Sequence, residues 1–334
     1  MKKSEMKGKS KAELVRRYCV KFPNTSTRML SKKIAEEHPE MFSTAEKARS
    51  FVRYVRGANG AKNRTAVRLL YELLDTDLEI ESFSPEPIEI LDTKCLILSD
   101  IHFPFHSIRA LDIALREGKR QKVDTILLNG DIVDCYQFSS FNRIPDVAVF
   151  KEERKTAYAF LLYLRKVFKK QRIIWKNGNH DDRVLKYICQ HAPAIWDEEY
   201  FSWQEMLHLD DFDVEYVKSN QWIKLGKLVV LHGHEFGDVG HFGSASSVNP
   251  ARGLFLKTKY CCACGHHHQT SQHNEPTVER ELITTWSIGC LCNLKPIYKP
   301  ITKWNYGFAI CSVDKKGMFK FKNYRILDNF ELVD

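Results

Sequence analysis

The chain has 334 residues, of which 43% are hydrophobic and 28% charged. This composition excludes a wholly disordered protein, and the length allows one large hydrophobic core and a smaller second domain. No run approaches the roughly 18 consecutive apolar residues that a membrane helix needs, and the Lys- and Ser-rich start lacks the apolar segment of an export signal. We therefore expect a cytoplasmic protein whose ten cysteines are reduced.

The formal net charge of +9 is concentrated at the start of the chain. Residues 1–70 contain 18 Lys and Arg against 6 Glu, a balance of +12, so the remaining residues sum to −3. An excess of positive charge confined to one segment is typical of a module that binds nucleic acid. We predict a basic, all-α domain over residues 1–74 whose partner is DNA.

Three helices are predicted in this domain, over residues 11–21, 26–37 and 43–57. The third opens with a capping box, in which Ser43 and Glu46 each satisfy a backbone donor, and it closes at Gly57. Apolar residues repeat at helical spacing on one face of this helix, and three arginines repeat the spacing beside them: Arg49, Arg53 and Arg56. Such a unit fits helix-turn-helix geometry, in which a basic helix enters the major groove. The alternative is a small bundle with a solvated arginine face.

From residue 75 to residue 94 the sequence becomes acidic and contains prolines, which indicates a linker. Beyond it, over residues 95–334, short apolar runs alternate with helical stretches, a pattern typical of an α/β fold. Five of these runs read as strands, over residues 95–98, 125–128, 173–175, 228–231 and 261–263. A long helix is predicted over residues 151–170 and an irregular loop over residues 236–253.

Polar residues of the types that commonly bind metals, Asp, Asn and His, follow each of the five predicted strands. They are Asp100 and His102, Asp131 and Asp134, Asn179 to Asp181, His232 and His234, and His266 and His268. Residues just past the carboxyl ends of strands converge on one crevice in α/β sheets, so we expect these side chains to meet. Carboxylate, amide and imidazole ligands suit Mn²⁺, Fe²⁺ or Zn²⁺, and their number suits two ions rather than one.

The order of these motifs, D-x-H, G-D-x-x-D, G-N-H-D, H-G-H and G-H-x-H, closely resembles that of the calcineurin-like metallophosphoesterases over about residues 95–315. The resemblance implies a two-sheet α/β sandwich, here preceded by the small basic helical domain, and a centre of two divalent metal ions. We expect manganese, with iron, zinc or magnesium as alternatives. Phosphoesterases with such an arrangement are carried by bacteria and their phages, so the expected cytoplasm is the host's if the gene belongs to a phage.

The resemblance also implies a role for each motif residue. Asp100, His102 and His268 would hold one metal, Asn179, His232 and His266 the other, and Asp131 would bridge them. His180 would protonate or stabilise the leaving oxygen, with Asp181 orienting its ring. Two cations lower the pKa of a shared water, which predicts hydrolysis through a metal-bridged hydroxide.

The substrate is less constrained than the reaction, because this scaffold hosts several phosphoesterases. Cys135 stands where protein phosphatases carry a phosphate-binding arginine, and G-N-H-D resembles the repair exonuclease branch. With the basic domain, this favours a phosphodiesterase or nuclease acting on DNA. The alternatives are a phosphomonoesterase for protein or nucleotide, and a non-catalytic DNA-binding regulator with a metal-bound scaffold domain.

Four residues in or near the motif loops are candidates for binding phosphate: Arg143, Arg183, His234 and Arg252. For the three arginines, a plain surface charge is the alternative interpretation. Cys262 and Cys264, and Cys290 and Cys292, form two C-x-C pairs. We interpret them as small hydrophobes on buried strand faces rather than as a zinc site, because the spacing is not C-x-x-C.

Overall fold

The computed structural model describes residues 11–57, 86–144, 147–236, 248–296 and 299–333. Contacts divide the chain into one unit that ends at Phe83 and another that begins at Ser84. The predicted linker therefore lies mostly outside the described residues, as do residues 1–10 and 58–74 of the predicted first domain. Among the described helices, none is long and apolar enough to cross a membrane.

The first unit contains three helices in its described part: α1 (Lys11–Lys21), α2 (Thr27–Glu37) and α3 (Ala45–Arg56). They enclose a small core of fully buried side chains: Val15, Leu30, Ile34, Phe42, Ala48 and Val52. Residues 38–44 connect α2 to α3, which is longer than the 3–4-residue turn of a helix-turn-helix motif. The described part of the unit is thus a bundle of three helices, and its connection departs from the predicted motif.

The start of α3 differs from the predicted capping box. Thr44, not Ser43, is the cap, because its side-chain oxygen accepts a hydrogen bond from the backbone N–H of Lys47. Glu46 is turned away from the cap and pairs with Arg49 at 3.3 Å. The helix therefore begins one residue later than the sequence pattern indicates.

The second unit contains two β-sheets. Its strands are β1 (Ile88–Ile90), β2 (Thr93–Leu98), β3 (Thr125–Asn129), β4 (Arg172–Lys176), β5 (Val214–Val217), β6 (Ile223–Leu225), β7 (Leu228–Leu231), β8 (Cys262–Cys264), β9 (Ser271–Pro276), β10 (Leu282–Ser287), β11 (Tyr306–Val313), β12 (Phe319–Ile326) and β13 (Leu332–Val333). One sheet has the order β13-β12-β11-β2-β3-β4-β5, and the other β1-β6-β7-β8-β10-β9. Strands β1 and β2 begin before residue 95, so the second unit starts within the predicted linker.

Strands β2, β3, β4 and β5 run parallel to one another, as do β7 and β8 in the other sheet. Alternate side chains of β2 point to opposite faces. Ile97 packs between the sheets together with Ile174 and Val230, whereas Leu98 packs on the outer side beneath the helices. The predicted α/β sandwich is confirmed, and its parallel strands deliver their following loops to shared edges.

The α-helices in the described part of the second unit are α4 (Ile108–Arg120), α5 (Phe150–Val167), α6 (Arg183–His191), α7 (Trp203–Leu207) and α8 (Pro250–Thr258). Helix α5 ends three residues earlier than the pattern predicts. Helix α8 occupies the end of the stretch predicted as a loop, because Asn249 caps it and Pro250 fits its first turn. Residues 237–247 of that predicted loop lie outside the described residues.

Candidate metal centre

The loops that follow β2, β3 and β8 adopt an unusual backbone conformation at the predicted ligands. Five of them have positive φ angles between 52° and 66°: Asp100, His102, Asp131, His266 and His268. This left-handed region is disfavoured for residues other than glycine and costs on the order of 1–3 kcal/mol per residue. Such strained residues cluster at functional sites. Here the left-handed conformation directs the side chains toward one another.

Three predicted ligands lie together on one side of the site. The Nε2 atom of His268 is 3.1 Å from Oδ1 of Asp100 and 3.2 Å from Nε2 of His102. All three side chains are buried. Two imidazole nitrogens and a carboxylate oxygen thus converge on one point, as a divalent cation requires of its ligands.

Asp131 lies between this group and a second one. Its Oδ2 atom is 3.7 Å from Nε2 of His102 and 3.2 Å from Nε2 of His232. Ligand atoms of Asp131, His232 and His266 all lie within 4.8 Å of one another. The carboxylate therefore has the position that a bridge between two cations needs.

Unpaired polar atoms in the loops around Asp131 also indicate a cation site. Among the described residues, the buried Oδ1 of Asn179 and Nδ1 of His266 have no hydrogen-bond partner. The backbone N–H of His180, next in the chain to Asn179, donates to Oδ1 of Asp131 at 2.8 Å. Buried polar atoms are almost always paired, so an unpaired amide oxygen and an unpaired imidazole nitrogen in the loops around this carboxylate are consistent with a bound cation. Asp100, His102, Asp131 and His268 on one side, with Asn179, His232 and His266 on the other, would hold two ions.

The electrostatics of the site favour charged carboxylates. Burial opposes ionisation of Asp131, but the neighbouring His232 holds its pKa well below the usual range. Burial likewise opposes protonation of His232, while Asp131 raises its pKa to about 10. A histidine must lose its proton to bind a metal, so metal binding at His232 competes with a proton.

His180 has different neighbours from those expected. Its Nδ1 atom is 3.2 Å from the backbone oxygen of Asp134, and its Nε2 atom is 2.9 Å from Nη2 of Arg183. Arg183 also donates to Oδ1 of Asp134 at 3.1 Å. Because a guanidinium only donates, Nε2 of His180 accepts and its proton lies on Nδ1. Burial lowers the pKa of His180, in keeping with a neutral ring.

Asp181 does not orient the ring of His180 as the sequence suggested. Its carboxylate accepts hydrogen bonds from the backbone N–H groups of Val133 at 2.9 Å and Gly178 at 2.8 Å. Burial, which outweighs these bonds, raises its pKa to about 7. Asp181 thus ties the loops after β3 and β4 together, and Asp134 takes the orienting role.

A buried ion pair that the sequence reasoning missed joins the two sheets at this edge. Lys176, at the end of β4, has no exposed surface, and its Nζ atom is 2.9 Å from Oε1 of Glu235. The Glu235 carboxylate also accepts from the backbone N–H groups of His232 at 2.7 Å and Gly233 at 2.6 Å. The pair connects the loop that carries Asn179 to the loop that carries His232. The sequence signal was a lysine directly after the apolar run of residues 173–175.

Cys292 is a second residue that the sequence reasoning placed elsewhere. Ligand atoms of Cys292, His102 and His268 form one of the clusters capable of holding a metal, and the Cys292 sulfur is 3.8 Å from Nδ1 of His268. Burial raises the pKa of this thiol well above its ordinary value. The Cys292 sulfur contacts Nδ1 of His268, whereas Nε2 of the same ring faces Asp100 and His102, so Cys292 lies behind the imidazole as seen from those two ligands. Cys262, Cys264 and Cys290 are buried, which agrees with their interpretation as small hydrophobes.

The remaining predicted phosphate contacts are dispersed. Arg183 lies at the site beside His180, but Arg143 is exposed and donates to the backbone oxygen of Gln137. Arg252 is exposed on α8, and none of the contacts of the described residues links it to the site. Burial lowers the pKa of His234 to about 3, so its imidazole is neutral near Glu235.

The three arginines predicted to bind DNA also differ from one another. Arg53 is exposed on α3, and Arg49 is half-buried beside Glu46. Arg56 points inward and donates to the backbone oxygens of Phe22, at 2.9 Å, and Thr25. Its guanidinium holds α3 to the link between α1 and α2, so Arg56 is a structural residue.

A two-sheet α/β sandwich with converging carboxylates, imidazoles and an amide at its strand ends defines a phosphoesterase with a candidate centre for two metals. The chain belongs to the calcineurin-like phosphoesterase family, whose model matches residues 93–286. This confirms the family predicted from the five motifs. Membership implies a hydrolase that cleaves phosphoesters with the help of metal ions.

Several known proteins are similar to this chain. The Gene 54 protein of Mycobacterium phage L5 is 24% identical over 239 residues, which cover 67% of this chain and 90% of that protein. Vps29 from Entamoeba histolytica, solved in complex with Zn²⁺, is 11% identical and covers 72% of this chain and 98% of its own, with a TM-score of 0.37. The E. coli phosphoesterase Yfce is 18% identical and covers 69% of this chain and 98% of its own, with a TM-score of 0.34.

Proposed function

We propose that this protein is a phosphodiesterase or nuclease that hydrolyses DNA, with manganese as its metal. The observation that carries the proposal is the combination, in one chain, of a phosphoesterase unit and a separate basic unit whose described part is helical. A DNA-binding module raises the concentration of phosphodiester bonds available to an active site on the same chain. An enzyme for small nucleotides gains nothing from such a module.

The chemistry follows from the groups around Asp131. Two bound cations would supply a nucleophilic water at neutral pH and stabilise charge on the phosphoryl oxygens. Arg183 donates to a phosphoryl oxygen, which releases the Nε2 atom of His180. The released Nε2 atom takes up a proton from solvent, and His180 gives that proton to the oxygen that leaves as its bond to phosphorus breaks and the bond to the attacking hydroxide forms. Asp134, beside Nδ1 of His180 at 3.5 Å, stabilises the imidazolium form.

The first unit offers a cationic face on α3. Arg53 is exposed, and the half-buried Arg49 lies one turn before it on the same face of the helix. Lysine and arginine on one helix face bind phosphates independently of sequence. We therefore propose Arg49 and Arg53 as phosphate contacts and leave Arg56 out, because its donors are used within the unit.

A substrate panel tests the activity. Purified protein with Mn²⁺ is given p-nitrophenyl phosphate, bis(p-nitrophenyl) phosphate, and labelled single- and double-stranded DNA. We expect turnover of the diester and of DNA, and about 10²-fold or greater loss in His180→Gln. His191→Gln, an exposed histidine on α6, is the matched control and should retain activity. Turnover of the monoester alone would contradict the proposal.

DNA binding is tested separately from hydrolysis. The charge reversal Arg49→Glu with Arg53→Glu should weaken duplex binding and reduce the salt-dependence slope by about 0.9 per lost phosphate contact. Lys315→Glu with Lys316→Glu changes the net charge equally at an exposed turn of the second unit and serves as control. Equal binding by both double variants and the unaltered protein would remove DNA as the partner of α3. DNA binding without hydrolysis in either the unaltered protein or Asp131→Asn would favour the non-catalytic regulator.

A further inference from the structure

The loop between Cys292 and β11 brings positive charge to the candidate metal centre. It is named here the basic loop and comprises residues 293–296 and 299–305. The sequence from residue 293 to residue 305 contains three lysines and no acidic residue, although the chain after residue 70 is slightly acidic overall. Lys295, Lys299 and Lys303 are all exposed. Outside this loop the unit that begins at Ser84 contains 30 Lys and Arg against 31 Asp and Glu, so the loop is a local excess of positive charge.

The basic loop is fixed to the site by backbone and side-chain contacts. The N–H of Asn305 donates to the backbone oxygen of His268 at 2.9 Å, and the N–H of Asn293 donates to that of Phe105 at 2.7 Å. The hydroxyl of Thr302 donates to the backbone oxygen of Leu294 at 2.6 Å, which closes the loop on itself. Both ends of the loop are thus held beside the strand exits that carry the predicted ligands.

Trp304 connects the basic loop to a predicted ligand. Its ring lies against the imidazole of His268, with centroids 4.2 Å apart and planes inclined at 61°. The ammonium of Lys299 lies 5.2 Å from the centroid of the same indole ring. These contacts place a cation within about 10 Å of His268, a distance comparable to the Debye length at 0.1 M salt. Solvent screening over this distance leaves Lys299 little influence on the candidate centre itself, so its charge is available to a neighbouring phosphate.

We propose that the basic loop binds phosphates of a polynucleotide strand adjacent to the phosphodiester being hydrolysed, with Lys299 positioned by Trp304. The inference rests on the proposed function and specifies its substrate as a polymer. A small diester has one phosphate, which the candidate centre itself binds, so it has none left for the lysines. A polynucleotide presents further phosphates on either side, and compact ammonium groups on a rim suit such a chain.

The test compares two substrates and two double variants. The first variant is Lys299→Ala with Lys303→Ala. Its control is Lys315→Ala with Lys316→Ala, in the turn after β11, which lies roughly 23 Å from Tyr306 at about 3.3 Å per strand residue. The KM for a labelled single-stranded oligonucleotide should rise about fivefold or more in the first variant and stay unchanged in the control. Neither variant should alter kcat/KM for bis(p-nitrophenyl) phosphate.

Two further measurements sharpen the result. The slope of oligonucleotide affinity against salt, measured by fluorescence anisotropy, should decrease by about 1.4 in the first variant for two lost contacts with a single strand. Lys299→Arg retains the charge above Trp304 and should keep the unaltered KM.

The possible outcomes distinguish failure of the basic-loop inference from failure of the proposed function. An unchanged oligonucleotide KM and salt slope in Lys299→Ala with Lys303→Ala would overturn the inference while leaving the proposed function intact. An equal loss on the small diester would overturn it as well, because the loop would then act on the site in general. If the unaltered protein cleaved no diester, the proposed function would fail, and the salt slope would still decide whether the loop binds phosphates.

Discussion

We expect the buried ion pair between Lys176 and Glu235 to hold the two sheets together at the candidate centre. Lys176→Met removes the ammonium but keeps most of the volume of the side chain. Glu235 then stays buried with only the two backbone donors of His232 and Gly233. We expect the second unit to lose stability and the loops that carry Asn179 and His232 to separate.

The structure sets the size of this effect. Two unit charges 2.9 Å apart attract by about 6 kcal/mol at an effective dielectric constant of 20. Part of this attraction is offset by desolvation, and breaking a buried pair by removing one partner costs about 3–5 kcal/mol. We expect that cost for Lys176→Met. The double variant Lys176→Met with Glu235→Gln leaves no uncompensated charge and should recover at least half of it.

Urea unfolding followed by tryptophan fluorescence measures the stability of the second unit alone, because all six tryptophans of the chain lie between residues 175 and 304. Metal content after dialysis against limiting Mn²⁺ measures the site independently of activity. We expect Lys176→Met to retain about half of the metal bound by the unaltered protein, with the ion near Asn179 and His232 lost first. Lys218→Met removes an exposed lysine paired with Glu198 and is the control.

Two results would refute this reasoning. Equal stability of Lys176→Met and Lys218→Met would mean that the ion pair does not hold the sheets together. A double variant less stable than Lys176→Met would mean that the charge left on Glu235 is not the source of the loss.

Three further variants probe separate parts of the structure. Burial raises the pKa of Glu153 from 4.5 to about 8, so the folded protein holds an extra proton between these values and stability should fall as pH rises from about 4.5 to 8. Glu153→Gln, followed by urea unfolding, should make that fall shallower and leave the part contributed by Asp181. Arg56→Ala should accelerate amide exchange of the first unit about tenfold or more, because the part-buried backbone oxygens of Phe22 and Thr25 lose a charged donor. Gly178→Ala should lower metal content, because its new Cβ would overlap the carboxylate of Asp131.

Each of these variants has a control and a contrary outcome. Glu152→Gln changes an exposed residue of the same helix and should keep the ordinary pH dependence, and a similar profile for Glu153→Gln would contradict the assigned burial. Arg53→Ala should leave amide exchange unchanged. Amide exchange in Arg56→Ala equal to that of the unaltered protein would show that Arg56 does not hold α3 to the link between α1 and α2. Full metal content in Gly178→Ala would show that Asp131 can move without loss of the centre.

The sequence was sufficient for the family, the sandwich and the convergence of the predicted ligands. Each motif directly follows an apolar run, and the end of a strand can be recognised from a few neighbouring residues. Parallel strands bring their exits together whatever the loops between them are. The order of the motifs was therefore enough to propose that Asp100, Asp131, Asn179 and His266 meet.

Contacts between distant parts of the chain were decided by the tertiary structure. Asp181 is adjacent to His180 in sequence, yet His180 contacts Asp134, because the loops after β3 and β4 turn toward each other. Arg56 belongs to a regular row of arginines, but its position at the end of α3 places it against the carbonyls of the link between α1 and α2.

The same holds for Lys176 with Glu235 and for Trp304 with His268, whose partners lie 59 and 36 positions away in the sequence. Sequence periodicity records which face a residue occupies within its own element, and it carries no information on what another element presents to that face. The residue types and their strand-end positions came from the sequence alone. The packing of the two sheets and the course of the basic loop determined which side chains contact these residues, orient them and shift their pKa values.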